Sequence, residues 1–79
     1  MPIKVLFFGA TANVTGQRTE TVEAGEKIAA SVLFNRILSR YPQLASHRLL
    51  FSINHEYATG DEILRDGDEI AIFTAVSGG

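Results

Sequence analysis

The sequence predicts an α+β domain: a mixed sheet of four to five strands with one main helix on one face. Three observations predict it. Ile3 to Phe8 and Leu49 to Ile53 are short apolar runs of strand length. Only Ala30 to Tyr41 repeats apolar residues at helical spacing. Glu69 to Ala75 alternates after the tight-turn pair Asp66-Gly67.

Each element follows from its residues. The first run is interrupted only by Lys4 and is closed by Gly9, which favours a strand. Gly9 to Gly16 is rich in Thr, Asn and Gly and reads as a loop. Gln17 to Val22 alternates and can pair with the first strand as a hairpin. In the helix, Ala30, Leu33, Phe34, Ile37, Leu38 and Tyr41 share one face, while Arg36, Ser39 and Arg40 fall on the other. Val32 lies off the stripe. Pro42 disfavours helical geometry at Tyr41 and ends the helix. The helix start has no strong cap residue. After Leu49 to Ile53, Asn54-His55 turns the chain into a short strand at Glu56-Tyr57-Ala58, and Thr59-Gly60-Asp61 is another turn. Ile63-Leu64 is an apolar pair suited to a helical turn. In the last strand, Ile70 and Ile72 point one way, Ala71 and Phe73 the other.

Composition narrows the function classes. The 79 residues make one domain of modest core, and 46% hydrophobic content is enough to build it. Residues 1–75 are expected to form the folded unit and 76–79 a flexible tail. With no cysteine there is no disulfide, thiolate metal site, iron–sulfur cluster or catalytic thiol. No apolar run reaches the roughly 18 residues of a membrane span. The start, Met1-Pro2-Ile3-Lys4, lacks the pattern of a signal peptide. A cytoplasmic protein with no membrane or nucleic-acid partner is expected, since the net charge of −2 lacks a basic excess. Between Glu56 and Glu69, six acids face Arg65 alone, a local net of −5. That run reads equally as a solvated surface or as a steering patch for a basic partner.

Two features carry chemistry. The chain ends Ala75-Val76-Ser77-Gly78-Gly79, and a terminal Gly-Gly arises by chance roughly once in 200 chains. Glycines lack side chains, so such an end can enter a narrow channel. Its carboxylate, ionised above a reference pKa of about 3.5, can attack the α-phosphate of ATP. A sulfur nucleophile can then turn the acyl-adenylate into a thiocarboxylate. The reactive group would be Gly79, with Gly78 giving access. The second feature is an apolar face that a single helix leaves uncovered. If Val5, Phe7, Ile70 and Ile72 face the helix, then Leu6, Phe8, Ala71 and Phe73 face away as a binding patch near the tail. His47 and His55 stand alone without ligand spacing, and Asp66-Gly67-Asp68-Glu69 reads as a turn; no metal site is expected.

The ordered set Ile3-Lys4-Val5-Leu6-Phe7-Phe8, Tyr41-Pro42, Ile53-Asn54, Glu56-Tyr57, Asp66-Gly67-Asp68-Glu69-Ile70 and Val76-Ser77-Gly78-Gly79 resembles the small subunit of molybdopterin synthase. The resemblance covers nearly the whole chain. It implies a ubiquitin-like β-grasp fold and a non-catalytic, sulfur-donating subunit of a heterotetramer. It implies that Gly79 is adenylated with ATP by a ubiquitin-activating-type enzyme and thiocarboxylated with sulfur from a desulfurase or rhodanese system. The tail, with Val76 and Ser77 among its partner contacts, would then enter the large synthase subunit and give sulfur to cyclic pyranopterin monophosphate. No permanently bound cofactor is implied. By position, Phe8 and Phe73 match the family's partner-binding apolar residues. Many members carry two prolines where this chain has Thr74-Ala75, and proline would stiffen the strand exit. Three rival readings stand beside this one: a thiamine-pathway sulfur carrier, a ubiquitin-like protein modifier, and a non-covalent interaction module in which the Gly-Gly is incidental.

Overall fold

The computed structural model describes residues 1–75. In chain order the elements are β1 (Pro2–Phe7), α1 (Ala10–Thr15), β2 (Thr19–Glu23), α2 (Ala30–Arg40), a 3₁₀ turn (Pro42–Ser46), β3 (Leu49–Ile53), β4 (Glu56–Tyr57) and β5 (Glu69–Thr74). The five strands form one mixed sheet in the order β2-β1-β5-β3-β4. The first and last strands are central neighbours and run parallel, with Val5 opposite Ile70 and Phe7 opposite Ile72. All other pairings are antiparallel.

The period of two in β1 and β5 divides the sheet into two faces. Ile3, Val5, Phe7, Ile70 and Ile72 are buried on the inner face, against Leu33 and Ile37 of α2. This is the face the sequence assigns to the helix. Leu44 of the 3₁₀ turn and Leu64 close the core from either end, both fully buried. Each such side chain contributes about 1.5–3 kcal/mol by leaving water. Phe34 of α2 stacks on Phe51 of β3 with centroids 3.8 Å apart, so β3 is tied to the same core.

Three local readings differ from the sequence expectation. Gly9 to Gly16 is not a loop: Ala10–Thr15 forms a short helix closed by Gly16 at φ 77°. Six residues are too few to display a periodicity, and tertiary anchoring of Thr11 outweighs the weak helix propensity of Thr, Asn and Val. The second strand begins two residues later than its alternation suggests, at Thr19. Ile63-Leu64 is not a helical turn. Ile63 makes an isolated bridge to Ala29, and the Leu64 N–H donates to the Ile28 carbonyl at 2.9 Å.

The same segment explains the missing helix cap. The N–H groups of Ala30 and Ser31 donate to the carbonyls of Glu62 (2.7 Å) and Gly60 (3.0 Å). The free donors of the first turn are satisfied by backbone from a distant loop rather than by a side chain. The Asn54-His55 turn has both residues at positive φ, 49° and 74°, as a two-residue hairpin of the right twist requires. The Asn54 side chain fixes that turn to β5. Its Oδ1 accepts the Glu69 N–H and its Nδ2 donates to Asp68, each at 3.0 Å.

Candidate functional site

Because β1 and β5 run parallel, their C-terminal ends emerge at one edge of the sheet. Leu6 sits opposite Ala71, and one step on the Phe8 N–H donates to the Ile72 carbonyl at 3.0 Å. Phe8 therefore stands beside Phe73 where the chain leaves β5. Leu6, Phe8, Ala71 and Phe73 all lie on the face away from α2, and Phe8 is 51% exposed.

The antiparallel ladders extend this face. Leu50 pairs with Phe73, and Ser52 pairs with both Ala71 and Tyr57. Tyr57 is 72% exposed, with its ring centroid 6.1 Å from that of Phe73. A shallow groove is lined by Phe8, Ser52, His55, Tyr57, Ala71 and Phe73. Leu50 and Tyr57 lie outside the patch that the sequence predicts. The signal that could have found them is the two-residue Asn54-His55 turn, which fixes which side chains of β3 and β4 share a face.

The root of the tail is held in place. The Ala75 N–H donates to the Arg48 carbonyl at 2.9 Å, extending the β3–β5 ladder past Thr74. A proline at this position would have no donor for that bond. On the other side, Thr11 is the one buried polar side chain among the described residues. Its hydroxyl lies 2.7 Å from the Phe8 carbonyl and 2.9 Å from that of Ile72. It thus pins α1 to the two strand ends that carry Phe8 and Phe73. Gly9, at φ 58° and ψ −128°, lets the chain reverse directly after Phe8, in a region a side chain would disfavour. Val76, Ser77, Gly78 and Gly79, the predicted tail contacts and reactive end, lie outside the described residues.

Several polar groups elsewhere are committed to structure. Glu20 accepts from the Tyr41 hydroxyl (2.6 Å), from Arg40 (2.9 Å) and from the Gln17 amide, joining β2 to the end of α2. The bond to the Glu20 carboxylate, aided by burial, raises the Tyr41 pKa above its usual value. In the acidic stretch, Glu62 accepts the N–H groups of Thr59 (2.7 Å) and Gly60 (2.8 Å). Backbone donation, first from Thr59, holds its pKa below the usual carboxylate value. Asp68 accepts the Arg65 N–H at 2.7 Å. Two of the six acids therefore hold their own turns. No group of three or more His, Asp or Glu side chains suited to a metal occurs among the described residues. His47 and His55 are exposed, and His55 lies 4.0 Å from Glu69. What the described residues present is an exposed aromatic face beside Ala75, where β5 ends.

A ubiquitin-like β-grasp sheet with an aromatic face at the root of a Gly-Gly tail defines a class of carboxyl-terminal carriers and modifiers. Residues 5–79 match the ThiS family. The molybdopterin synthase sulfur carrier subunit of Homo sapiens is 39% identical over 98% of this chain and 93% of its own length. Among solved structures, SAMP1 from Haloferax volcanii superposes with a TM-score of 0.86 at 26% identity, over the full length of both chains. The complex of subunits 1 and 2 of the molybdopterin-converting factor from Helicobacter pylori contains a chain with TM-score 0.71, 23% identity and full coverage of both chains. This chain belongs to the ThiS family of sulfur-carrier proteins, and within it to the molybdopterin synthase sulfur carrier subunits. Over residues 1–75 the fold is the one the resemblance implies.

Proposed function

We propose that the chain is the sulfur-carrying subunit in molybdopterin synthesis, with Gly79 as its working group. The carboxylate of Gly79 attacks the α-phosphate of ATP on an activating enzyme and pyrophosphate leaves. The persulfide sulfur of a desulfurase or rhodanese then displaces AMP to form an acyl disulfide, and a thiol cleaves its S–S bond, leaving the thiocarboxylate on Gly79 and a disulfide on the donor. The tail, including Val76, Ser77 and Gly78, enters the large synthase subunit and gives that sulfur to cyclic pyranopterin monophosphate. Catalysis belongs to the partners, and ATP is used by the activating enzyme rather than held here. The working compartment on this reading is the cytoplasm.

The observation that carries this reading is the gathering of Phe8, Phe73 and Tyr57 at the edge where the chain leaves β5. A partner gripping that face receives the tail beside it. Exposed aromatics clustered in a groove are the residue type that anchors interfaces. The family membership and the Gly78-Gly79 end supply the chemistry. A second reading, a protein modifier joined through Gly79 to lysines, draws support from the likeness to SAMP1, a small archaeal modifier protein.

The deciding experiment incubates the chain with its activating enzyme, ATP and a sulfur donor and reads its intact mass. The expected gain is that of one oxygen exchanged for sulfur, mapped to Gly79. Deleting Gly79 should abolish the gain without unfolding the domain, and Phe73→Asp should weaken binding to the large subunit at least tenfold. Lysine-linked adducts without a thiocarboxylate would favour the modifier. Retained sulfur transfer after Gly79 deletion would sink both.

A further inference from the structure

Charge is sorted along the strands. Segments 23–26 and 56–69 hold eight of the nine acidic residues, and Glu23 opposite Pro2, Glu56 opposite Ile53 and Glu69 opposite Lys4 stand towards the end of the sheet away from the tail root. The ninth, Glu20, is taken up by Arg40, Tyr41 and Gln17. At the tail end, segments 8–18 and 41–52 contain no acid. They contribute Arg18 and Arg48, both exposed, and neither is paired with a carboxylate among the described residues.

The two arginines bracket the tail root. Arg18 enters β2 beside Phe7, whose N–H donates to the Arg18 carbonyl at 2.8 Å, and it lines a groove with Leu6 and Phe8. Arg48 enters β3, and its carbonyl accepts the Ala75 N–H. In the order β2-β1-β5-β3 their backbones stand three strand spacings apart, roughly 14 Å, with β1 and the tail between them.

We propose that Arg18 and Arg48 form a basic collar that docks on carboxylates around the mouth of the partner's active-site channel. The proposal rests on the carrier reading above. A tail of four residues drawn into a channel carries its carboxyl roughly 13 Å past Ala75. The collar therefore meets the rim of the channel and not the reacting groups or a substrate anion at its floor. Guanidinium groups suit a carboxylate rim because they can bind it in bidentate fashion. The acid-rich far end is repelled by the same rim, so the domain's own charge separation turns the tail towards the mouth during approach.

Association of the full chain with the large synthase subunit, followed by stopped flow across a salt series, tests this. Arg18→Glu with Arg48→Glu should lower the on-rate at least tenfold at low salt. The gap should close at high salt as the charges are screened. Arg18→Gln with Arg48→Gln should fall between, and thermal unfolding of both variants should match the wild type. Wild-type on-rates and salt slope in the charge-reversed protein would overturn the collar and leave the carrier reading standing. A raised KM for the pterin substrate with unchanged association would overturn it in favour of a substrate contact. A wild-type chain that does not bind the large subunit would overturn the carrier reading and the collar with it.

Discussion

Replacing Thr11 with valine tests how the strand ends that carry Phe8 and Phe73 are held. The hydroxyl is fully buried and reaches the carbonyls of Phe8 and Ile72. Valine keeps the shape and removes the donor. Neither carbonyl is orphaned by the change. Phe8 still accepts the Thr11 backbone N–H at 3.2 Å, and Ile72 still accepts the Phe8 N–H at 3.0 Å. The loss is therefore that of one buried hydrogen bond, about 1 kcal/mol, and not the larger penalty of an unsatisfied group. For a domain of this size that lowers Tm by roughly 4–8 °C. Alanine lacks both methyl groups that valine keeps and should cost about 1.6 kcal/mol more than valine. Urea unfolding followed by far-UV circular dichroism, needed because the chain has no tryptophan, measures both. Thr11→Val as stable as the wild type would refute the pinning role. A loss well above about 3 kcal/mol would refute the claim that the two carbonyls keep their partners.

Two further outcomes follow from local geometry and titration. His55→Gly should raise stability by about 0.5 kcal/mol, because glycine takes the φ of 74° without the clash a side chain meets. The exposed pairing of His55 with Glu69, at 4.0 Å, contributes little, and a lower Tm in thermal unfolding would contradict the assignment of that turn. Tyr41 has a folded-state pKa above its unfolded value of about 10. Its contribution is complete below the unfolded pKa and is lost as pH rises through the folded one. Stability measured from pH 8 to 11.5 should therefore fall more steeply for the wild type than for Tyr41→Phe, and parallel curves would rule the Glu20 bond out as the cause.

The residues that spoke plainly in the sequence are those whose period matches a burial face. Val5, Phe7, Ile70 and Ile72 alternate because one side of each strand meets α2. Ala30, Leu33, Phe34 and Ile37 recur because one side of that helix meets the sheet. Their opposites, Leu6, Phe8, Ala71 and Phe73, were legible by subtraction. What stayed hidden depends on contacts between distant segments. The helix of Ala10–Thr15 exists because Thr11 finds the carbonyls of Phe8 and Ile72, the latter 61 residues away. The start of α2 is capped by carbonyls of Gly60 and Glu62. Tyr57 joins the aromatic face only through the register that Asn54-His55 imposes. The acidic run looks like one patch in the sequence, yet Glu62 and Asp68 turn their carboxylates to their own backbone.

Parallel pairing of the first and last strands has a consequence that antiparallel pairing would not. In an antiparallel pair the end of one strand lies beside the start of the other, so Phe8 and the departing tail would sit at opposite edges. Here Phe7 pairs with Ile72, and both chains leave the sheet together. The residue after β1 is thereby brought to the root of the tail, and no loop is needed to hold it there. Gly9 then turns the chain back before it can obstruct that edge. A carrier of this kind must offer a chain end that passes deep into another protein and a surface that the same protein grips. On the carrier reading proposed above, the β1–β5 pair brings the exposed aromatic face and the residue that roots the tail to one point of the sheet. Its inner residues Ile3, Val5, Ile70 and Ile72 are fully buried in the core, so the edge is fixed with the rigidity of the core itself. The bond from the Ala75 N–H to the Arg48 carbonyl carries that fixed frame to the end of the described residues.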